Sequence, residues 1–126
     1  MIVAGVGCRR EISADEIERV VLKALGQFDL PVERLQVIAT EAEKANEPAF
    51  PEAAERLSAR LVACTVEELR QVGGRVLTLS KQAFDAKGLP SIAEAAALVV
   101  AGANGRLLGA RVATERATCA IAIGEG

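Results

Sequence analysis

The chain has 126 residues, of which 51% are hydrophobic and 2% aromatic, and its fifteen basic and seventeen acidic side chains leave a formal net charge of −2. This length and apolar content suit one domain spanning residues 1–126, whereas the balanced charge and the absence of Tyr and Trp argue against a nucleic-acid partner. No apolar run reaches the roughly 18 residues of a transmembrane helix, and the charges follow a very short apolar opening, the reverse of a signal peptide. We therefore expect a cytoplasmic protein with no membrane partner.

The first residues predict a strand followed by a helix. Ile2 to Val6 is an apolar run typical of a buried strand. Ser13 and Glu16 have the spacing of a capping box, which marks the start of a helix. The apolar residues of one helical face follow: Ile17, Val20, Val21 and Leu25.

The middle of the chain continues the alternation of strands and helices. The predicted elements are a strand at 35–39, a helix at 51–59, a strand at 61–65, a strand at 75–80 and a helical turn at 81–87 that ends at Gly88. Thr65 and Glu68 repeat the capping-box spacing and predict a further short helix after the third strand.

The last third predicts one helix and two strands. Ser91 and Glu94 have capping-box spacing before a helix of small residues that ends at Gly102, and small side chains allow close approach to a sheet. Strands are predicted at 107–112 and 118–123, and the five residues between them are too few for a crossover helix. We therefore expect an α/β fold, three layers α/β/α, with a mixed, mostly parallel sheet that ends in an antiparallel hairpin.

The cysteine and histidine content limits the chemistry. Cys8, Cys64 and Cys119 are far apart and lack the paired spacing of a metal or redox motif. Cys64 and Cys119 lie in apolar strand runs, which favours a buried, inert role. With no histidine in the chain, the usual general base and imidazole metal ligand are missing. We expect no metal site and no cofactor.

The segment GVGCRR, residues 5–10, follows the first predicted strand. Gly5 and Gly7 lack the third glycine of a dinucleotide fingerprint because Arg10 occupies its position. Ligands of open α/β sheets bind outside the carboxyl ends of the strands, where this segment lies. Glycines let the backbone approach an anion, and Arg9 and Arg10 offer paired donors to it. Anion binding is thus predicted; the alternatives are a tight turn and a solvated arginine pair.

Three stretches carry a family resemblance. They are GVGCRREISADEI at 5–17, ATEAEKANEPAF at 39–50 and GLPSIAEAAAL at 88–98, and RVATERATCAIAI closes the chain at 111–123. In this order and spacing they resemble the CobE proteins and the homologous C-terminal domain of CbiG, both of cobalamin biosynthesis. The sequence departs from the family pattern at Ala42 and Glu43, where an Asp-Leu pair is usual, and at Arg111, where lysine is usual.

The resemblance implies a role with a precorrin or corrin intermediate. In CbiG the N-terminal and C-terminal parts together open the ring-A lactone of a cobalt-precorrin and release acetaldehyde, whereas a free-standing unit of this length is similar to CobE. A precorrin or a tetrapyrrole of the hydrogenobyrinic acid type is therefore the expected partner, with assistance in lactone opening as one role. The alternative is a non-catalytic module that docks on another enzyme of the cobalamin pathway.

The matched positions supply the candidate site. The substrate-binding candidates are Gly5, Gly7, Arg9, Arg10, Thr40, Lys44 and Ser91, and the catalytic candidates are Cys8, Glu47 and Glu94. Each has a simpler alternative: Lys44 and Glu47 have the spacing of a helical ion pair, and Ser91 and Glu94 that of a helix cap. Because neighbouring parallel strands end at the same edge of a sheet, we expect the loops after the first two strands to converge there as an anion-binding cleft.

Overall fold

A computed structural model of the protein describes residues 1–9, 11–78 and 91–126. Its centre is a six-stranded mixed sheet with the strand order β3-β2-β1-β6-β4, in which β5 also pairs with β6. The strands are β1 (Ile2–Cys8), β2 (Leu35–Glu41), β3 (Arg60–Cys64), β4 (Arg106–Leu107), β5 (Val112–Ala113) and β6 (Ala117–Ile123). The α-helices among the described residues are α1 (Ala14–Gln27), α2 (Ala42–Ala45), α3 (Ala49–Arg56), α4 (Val66–Gln71) and α5 (Ile92–Ala101). Short 3-10 turns occupy Val32–Arg34 and Gly73–Arg75.

Helices cover both faces of the sheet, which confirms the predicted three-layer α/β/α fold. Alternate residues of β1 point to opposite faces: Ala4 and Val6 pack with α1 and α3, whereas Val3 packs with α4 and α5. Phe50, the largest fully buried side chain among the described residues, extends from α3 into the first of these cores. Two helices begin with complete capping boxes, at Ser13 and at Thr65, as their spacing predicts.

The sheet contains more antiparallel pairing than the expected mostly parallel arrangement. The pairs β1–β2 and β2–β3 are parallel. The closing strand β6 lies beside β1 in the centre of the sheet and runs antiparallel to β1, β4 and β5. The predicted hairpin is therefore present, and its second strand is a central strand of the sheet, because β6 is long and apolar enough to be buried on both faces.

Two predicted strands differ from the structure for one common reason. The strand predicted at 107–112 is divided into β4 and β5, and residues 76–78 of the strand predicted at 75–80 are not in a strand. Backbone N–H groups of Leu77, Thr78 and Arg111 donate to the side chain of Glu94 and are not available to a neighbouring strand. Residues 79 and 80 and the helical turn predicted at 81–87 lie outside the described residues.

Candidate functional site

The loops after β1 and β2 meet at the carboxyl edge of the sheet, as expected. The two strands are parallel neighbours with Gly5 opposite Ala39, so both end on the same side. An open pocket of about 510 Å³ lies between the two loops. The residues that line this edge pocket are Glu11, Ile12, Glu43, Lys44, Glu47, Pro48 and Ala49.

Two of the predicted site residues line the edge pocket together. Lys44 Nζ lies 3.6 Å from Glu47 Oε2, and the two side chains retain 17% and 27% of their exposure. The turn that follows α2 produces this spacing, because Glu47 N–H donates to the carbonyl of Lys44 at 2.9 Å. Lys44 and Glu47 are thus the ion pair that their spacing predicts, placed inside a pocket.

The edge pocket is more acidic than the predicted anion cleft. Glu11 and Glu43 line it in addition to the Lys44–Glu47 pair, so carboxylates outnumber the ammonium group. The exposed Arg9 is not among the lining residues, although it follows β1 directly, and its N–H donates to the carbonyl of Arg116 at 3.2 Å. Arg10 lies outside the described residues. Of the described candidate cations, Lys44 thus lies in the pocket and Arg9 does not.

Cys8 is a poor nucleophile in this environment. Its side chain packs against the core beside α1 and is only partly exposed. Burial raises the pKa of the thiol to about 11, a nearby Lys44 opposes that shift, and Glu47 and Glu16 reinforce it. At neutral pH the thiol is protonated, whereas the thiolate is the form that attacks.

The hydroxyl groups of Thr40 and Ser91 have structural partners. Thr40 is fully buried and donates through Oγ1 to the carbonyl of Val6 at 2.8 Å, which links the ends of β1 and β2. Ser91 is also fully buried and accepts the N–H of Glu94 at 3.4 Å as the cap of α5. Neither hydroxyl lines the edge pocket.

Glu94 has a different structural role from the one predicted. It does not complete a capping box with Ser91. Its fully buried carboxylate instead accepts the N–H groups of Leu77, Thr78 and Arg111 and the hydroxyl of Thr78, at 2.7 to 2.9 Å. With both oxygens engaged in this way, the carboxylate joins the start of α5 to two other segments.

Gly5 is required by the packing of α5 against β1, whereas Gly7 lies close to a side chain of β6. A Cβ on Gly5 would lie 2.0 Å from the carbonyl oxygen of Ala93 and 2.6 Å from the nitrogen of Ala97. A Cβ on Gly7 would lie 2.9 Å from Thr118 Oγ1. The small residues of α5 therefore approach β1 as closely as predicted, and the helix begins at the carboxyl end of the strand.

Sequence reasoning missed three acidic residues of this region: Glu11 and Glu43, which line the edge pocket, and the buried Glu41. Glu11 lines the edge pocket with φ at 60°, in the left-handed region that favours glycine. Glu41 ends β2 and is 2% exposed, but a glutamate beside a loop gives no sequence signal of burial. Within 1–9, 11–78 and 91–126, no group of three or more Cys, Asp or Glu side chains is arranged to hold a metal ion. No helix in those ranges has the length and apolar character needed to cross a bilayer.

Comparison with known proteins identifies the family. The family model described as "Cobalamin synthesis G C-terminus" matches residues 2–122. The chain belongs to the CbiG C-terminal family. This confirms the resemblance of its three sequence blocks, and the chain is a cobalamin biosynthesis protein of the CobE and CbiG type.

Individual members of the CbiG C-terminal family agree with this assignment. Protein CobE of Sinorhizobium sp is 29% identical over 121 residues, which are 96% of this chain and 79% of the relative. The crystal structure of a CobE from the cobalamin biosynthetic pathway matches with a TM-score of 0.91 at 32% identity, over 97% of this chain and 89% of the other. The cobalamin biosynthesis protein chiG of Agrobacterium tumefaciens matches with a TM-score of 0.75 at 37% identity, over the whole of both chains.

A longer relative contains the same fold as one part. A homologue of cobalamin biosynthesis protein G from Sulfolobus solfataricus matches with a TM-score of 0.75 at 25% identity. The match covers 98% of this chain and 37% of the Sulfolobus chain. In that protein the fold is joined to further polypeptide.

Proposed function

We propose that the protein binds a precorrin or corrin intermediate at the carboxyl edge of its sheet, through carboxylates on the rim of the macrocycle. The observation that carries the proposal is the open edge pocket between the loops after β1 and β2, with Lys44 in its lining and the exposed Arg9 at the start of the first loop. This is the edge at which open α/β sheets bind their ligands. Acetate and propionate groups are suitable acceptors for guanidinium donors.

Two cations at this edge, Lys44 and Arg9, are suited to carboxylates of one large ligand. Lys44 lies in the edge pocket, and Arg9 follows the last residue of β1. Arg111 precedes β5, which runs parallel to β1 with Val112 level with Val6, so Arg111 lies level with Gly5 and away from the carboxyl edge. Two strand spacings across and four residues along the strand separate it from Arg9, roughly 16 Å. Carboxylates distributed around a macrocycle can match the separated donors Lys44 and Arg9.

The environments of the candidate nucleophile and bases favour binding over catalysis. Cys8 is held as the thiol, and the carboxylate of Glu94 is buried with four donors around it. Glu47 is paired with Lys44. We therefore propose a binding role in which the chain presents its ligand to other enzymes, and we do not assign the lactone-opening step to these residues.

The test is an absorbance titration with hydrogenobyrinic acid, followed through the visible bands of the macrocycle. Replacing Arg9 by alanine should weaken binding by about 1 to 3 kcal/mol, the range for hydrogen bonds to charged groups. The variant Glu47→Gln should strengthen binding about fivefold, because it removes a carboxylate from the pocket and leaves Lys44 without its counter-ion. Raising the salt concentration should weaken binding of the parent protein.

Arg34→Ala is the matched control, because Arg34 is exposed and precedes β2 at the opposite edge of the sheet. Its affinity should equal that of the parent. Equal affinities of the Arg9→Ala and parent proteins across the salt series, or weaker binding by Glu47→Gln, would contradict the proposal. Arg10 is predicted from the sequence alone to add to Arg9, which the double alanine variant tests.

A second candidate function is docking on another enzyme of the cobalamin pathway. The Sulfolobus relative favours it, because the equivalent fold there is part of a longer chain. Leu77 is 60% exposed beside the start of α5 and offers an apolar contact for a partner. A Leu77→Asp variant should lose binding to a purified pathway enzyme in a sedimentation assay. Leu22→Asp, which alters an exposed leucine of α1, is the control and should bind as the parent does.

A further inference from the structure

The turn that joins β5 to β6 lies at the carboxyl edge of the sheet. Because β6 runs antiparallel to β1, it begins where β1 ends, with Ala117 opposite Cys8. The N–H of Arg9 donates to the carbonyl of Arg116 at 3.2 Å. Arg116, the last residue of the turn, is therefore the direct neighbour of Arg9 across the two strands.

Hydrogen bonds fix the backbone from which the Arg116 side chain extends. The N–H and the hydroxyl of Thr114 donate to the carbonyl of Ala117, at 2.9 and 3.4 Å, and close a two-residue turn that contains Arg116. Thr118 Oγ1 donates to the carbonyl of Gly7 at 3.3 Å and joins β6 to β1 just below this turn. A donor on such a fixed backbone loses little conformational freedom when it binds a ligand.

The side chain of Arg116 is directed by the first turn of α1. Its Nε lies 3.4 Å from Oε2 of Glu16, and the two side chains retain 45% and 25% of their exposure. Oε1 of Glu16 accepts the N–H and the hydroxyl of Ser13, both at 3.0 Å, so the carboxylate is fixed by the cap of α1. These bonds lower the pKa of Glu16. An ionised carboxylate thus holds a guanidinium that is still accessible from solvent.

The same part of α1 relates Arg116 to the edge pocket. Residues 11 and 12, which precede the cap of α1, line the pocket. Burial raises the pKa of the Cys8 thiol, the charge of Lys44 lowers it, and the charge of Glu16 raises it further, so both charges lie near the end of β1. Arg116 therefore lies next to this region, on its β6 side.

We infer that Arg116 is a further ligand-binding residue, whose guanidinium binds a carboxylate of a macrocycle that extends from the edge pocket across the end of β1 to the start of β6. This inference rests on the proposed function and adds a cation to Lys44 and Arg9. Exposed ion pairs are weak, so a carboxylate of the ligand can replace Glu16 as the acceptor. Guanidinium groups suit this exchange, because their paired donors match a carboxylate.

The experiment is a double-variant cycle on the whole chain, with Arg116→Ala, Glu16→Gln and their combination. Hydrogenobyrinic acid is titrated by absorbance at about 0.15 M salt, where distant charges are screened. Arg116→Ala should bind about tenfold more weakly than the parent. Glu16→Gln should bind about threefold more tightly, because it removes the competing acceptor, and glutamine at this position still completes a capping box. In the Arg116→Ala background Glu16→Gln should change nothing, because its effect passes through Arg116.

Arg106→Ala is the matched control, because Arg106 is exposed and lies opposite Ile123 at the other end of β6. This variant loses the same charge and should bind as the parent does. Across a salt series, Arg116→Ala should show a smaller dependence on salt than either protein. Arg116→Lys keeps the charge without the paired donors and should show an intermediate loss. Urea unfolding of Arg116→Ala should match that of the parent, because the side chain is exposed.

Several outcomes would overturn the inference. Affinity of Arg116→Ala equal to that of the parent would do so, as would an equal loss in Arg106→Ala, which would reflect net charge alone. An equal effect of Glu16→Gln with and without Arg116 would show that Glu16 does not act through the guanidinium. If Arg116→Ala is less stable than the parent, the Arg116→Lys variant decides, and parental affinity there would contradict the role of the paired donors. Failure of the proposed function is distinguishable, because the parent protein itself would then not bind the acid.

Discussion

The substitution Gly5→Ala tests whether α5 lies as close to β1 as the structure indicates. The new Cβ would lie 2.0 Å from the carbonyl oxygen of Ala93, 2.6 Å from the nitrogen of Ala97 and 2.9 Å from its Cβ. Two of these atoms belong to the backbone of a helix, so no side-chain rotation relieves the overlap. The helix must move away by about 1.4 Å to restore ordinary contact at the carbonyl oxygen.

The cost follows from what α5 buries. Six of its apolar residues are buried against the sheet and the neighbouring helix: Ala93, Ala95, Ala96, Ala97, Leu98 and Ala101. A gap of 0.5 to 1 Å already removes a quarter to a half of the attraction between contacting atoms, and overpacking itself costs about 1 to 3 kcal/mol. We expect Gly5→Ala to lower the free energy of unfolding by about 3 kcal/mol, a large part of the 5 to 15 kcal/mol typical of a domain.

Equilibrium unfolding in urea measures this change, with Gly26→Ala as the matched control. Gly26 lies in α1, and a Cβ there would meet no atom within 4 Å, so that variant should gain about 0.5 to 1 kcal/mol. If Gly5→Ala unfolded at the same urea concentration as the parent, the close approach would be refuted. Ligand approach would then be the remaining reason for glycine at this position.

Three further predictions concern single side chains. Ser58 follows α3 with φ at 53°, and its N–H and that of Ala59 donate to the carbonyls of Glu55 and Ala54, which forms a Schellman motif. Because glycine adopts this φ without strain, Ser58→Gly should raise the free energy of unfolding by about 1 kcal/mol. A lower free energy of unfolding in a urea titration would contradict the assignment. Thr40→Val should lower it by about 1 kcal/mol, because the bond to Val6 is lost, while the affinity for hydrogenobyrinic acid stays the same; weaker binding by a stably folded variant would instead restore Thr40 as a ligand contact. Because the pKa of Cys8 is raised to about 11, its alkylation by iodoacetamide should be slow at pH 8 and accelerate about tenfold for each pH unit up to that value; a rate that levels off near pH 8 would show an ordinary thiol.

The sequence determined the alternation of elements, because each pattern has a local physical cause. Capping boxes at Ser13 and Thr65 and the apolar period of α1 depend on residues three or four apart, and the structure has both caps and the helix where predicted. The convergence of the loops after β1 and β2 followed from the parallel order of the strands. Lys44 and Glu47 form the ion pair given by their spacing.

Only the tertiary structure decided how distant segments meet. Glu94 has the same local spacing as Glu16 and Glu68, yet its carboxylate holds Leu77, Thr78 and Arg111, because the packing of α5 places those amides beside it. The edge pocket is acidic because Glu11, which precedes α1, and Glu43, which belongs to α2, both line it. Local patterns specify elements, since their energies depend on neighbours in sequence. The hydrogen-bond partners of a buried carboxylate and the net charge of the residues that line a pocket depend on segments that only folding brings together.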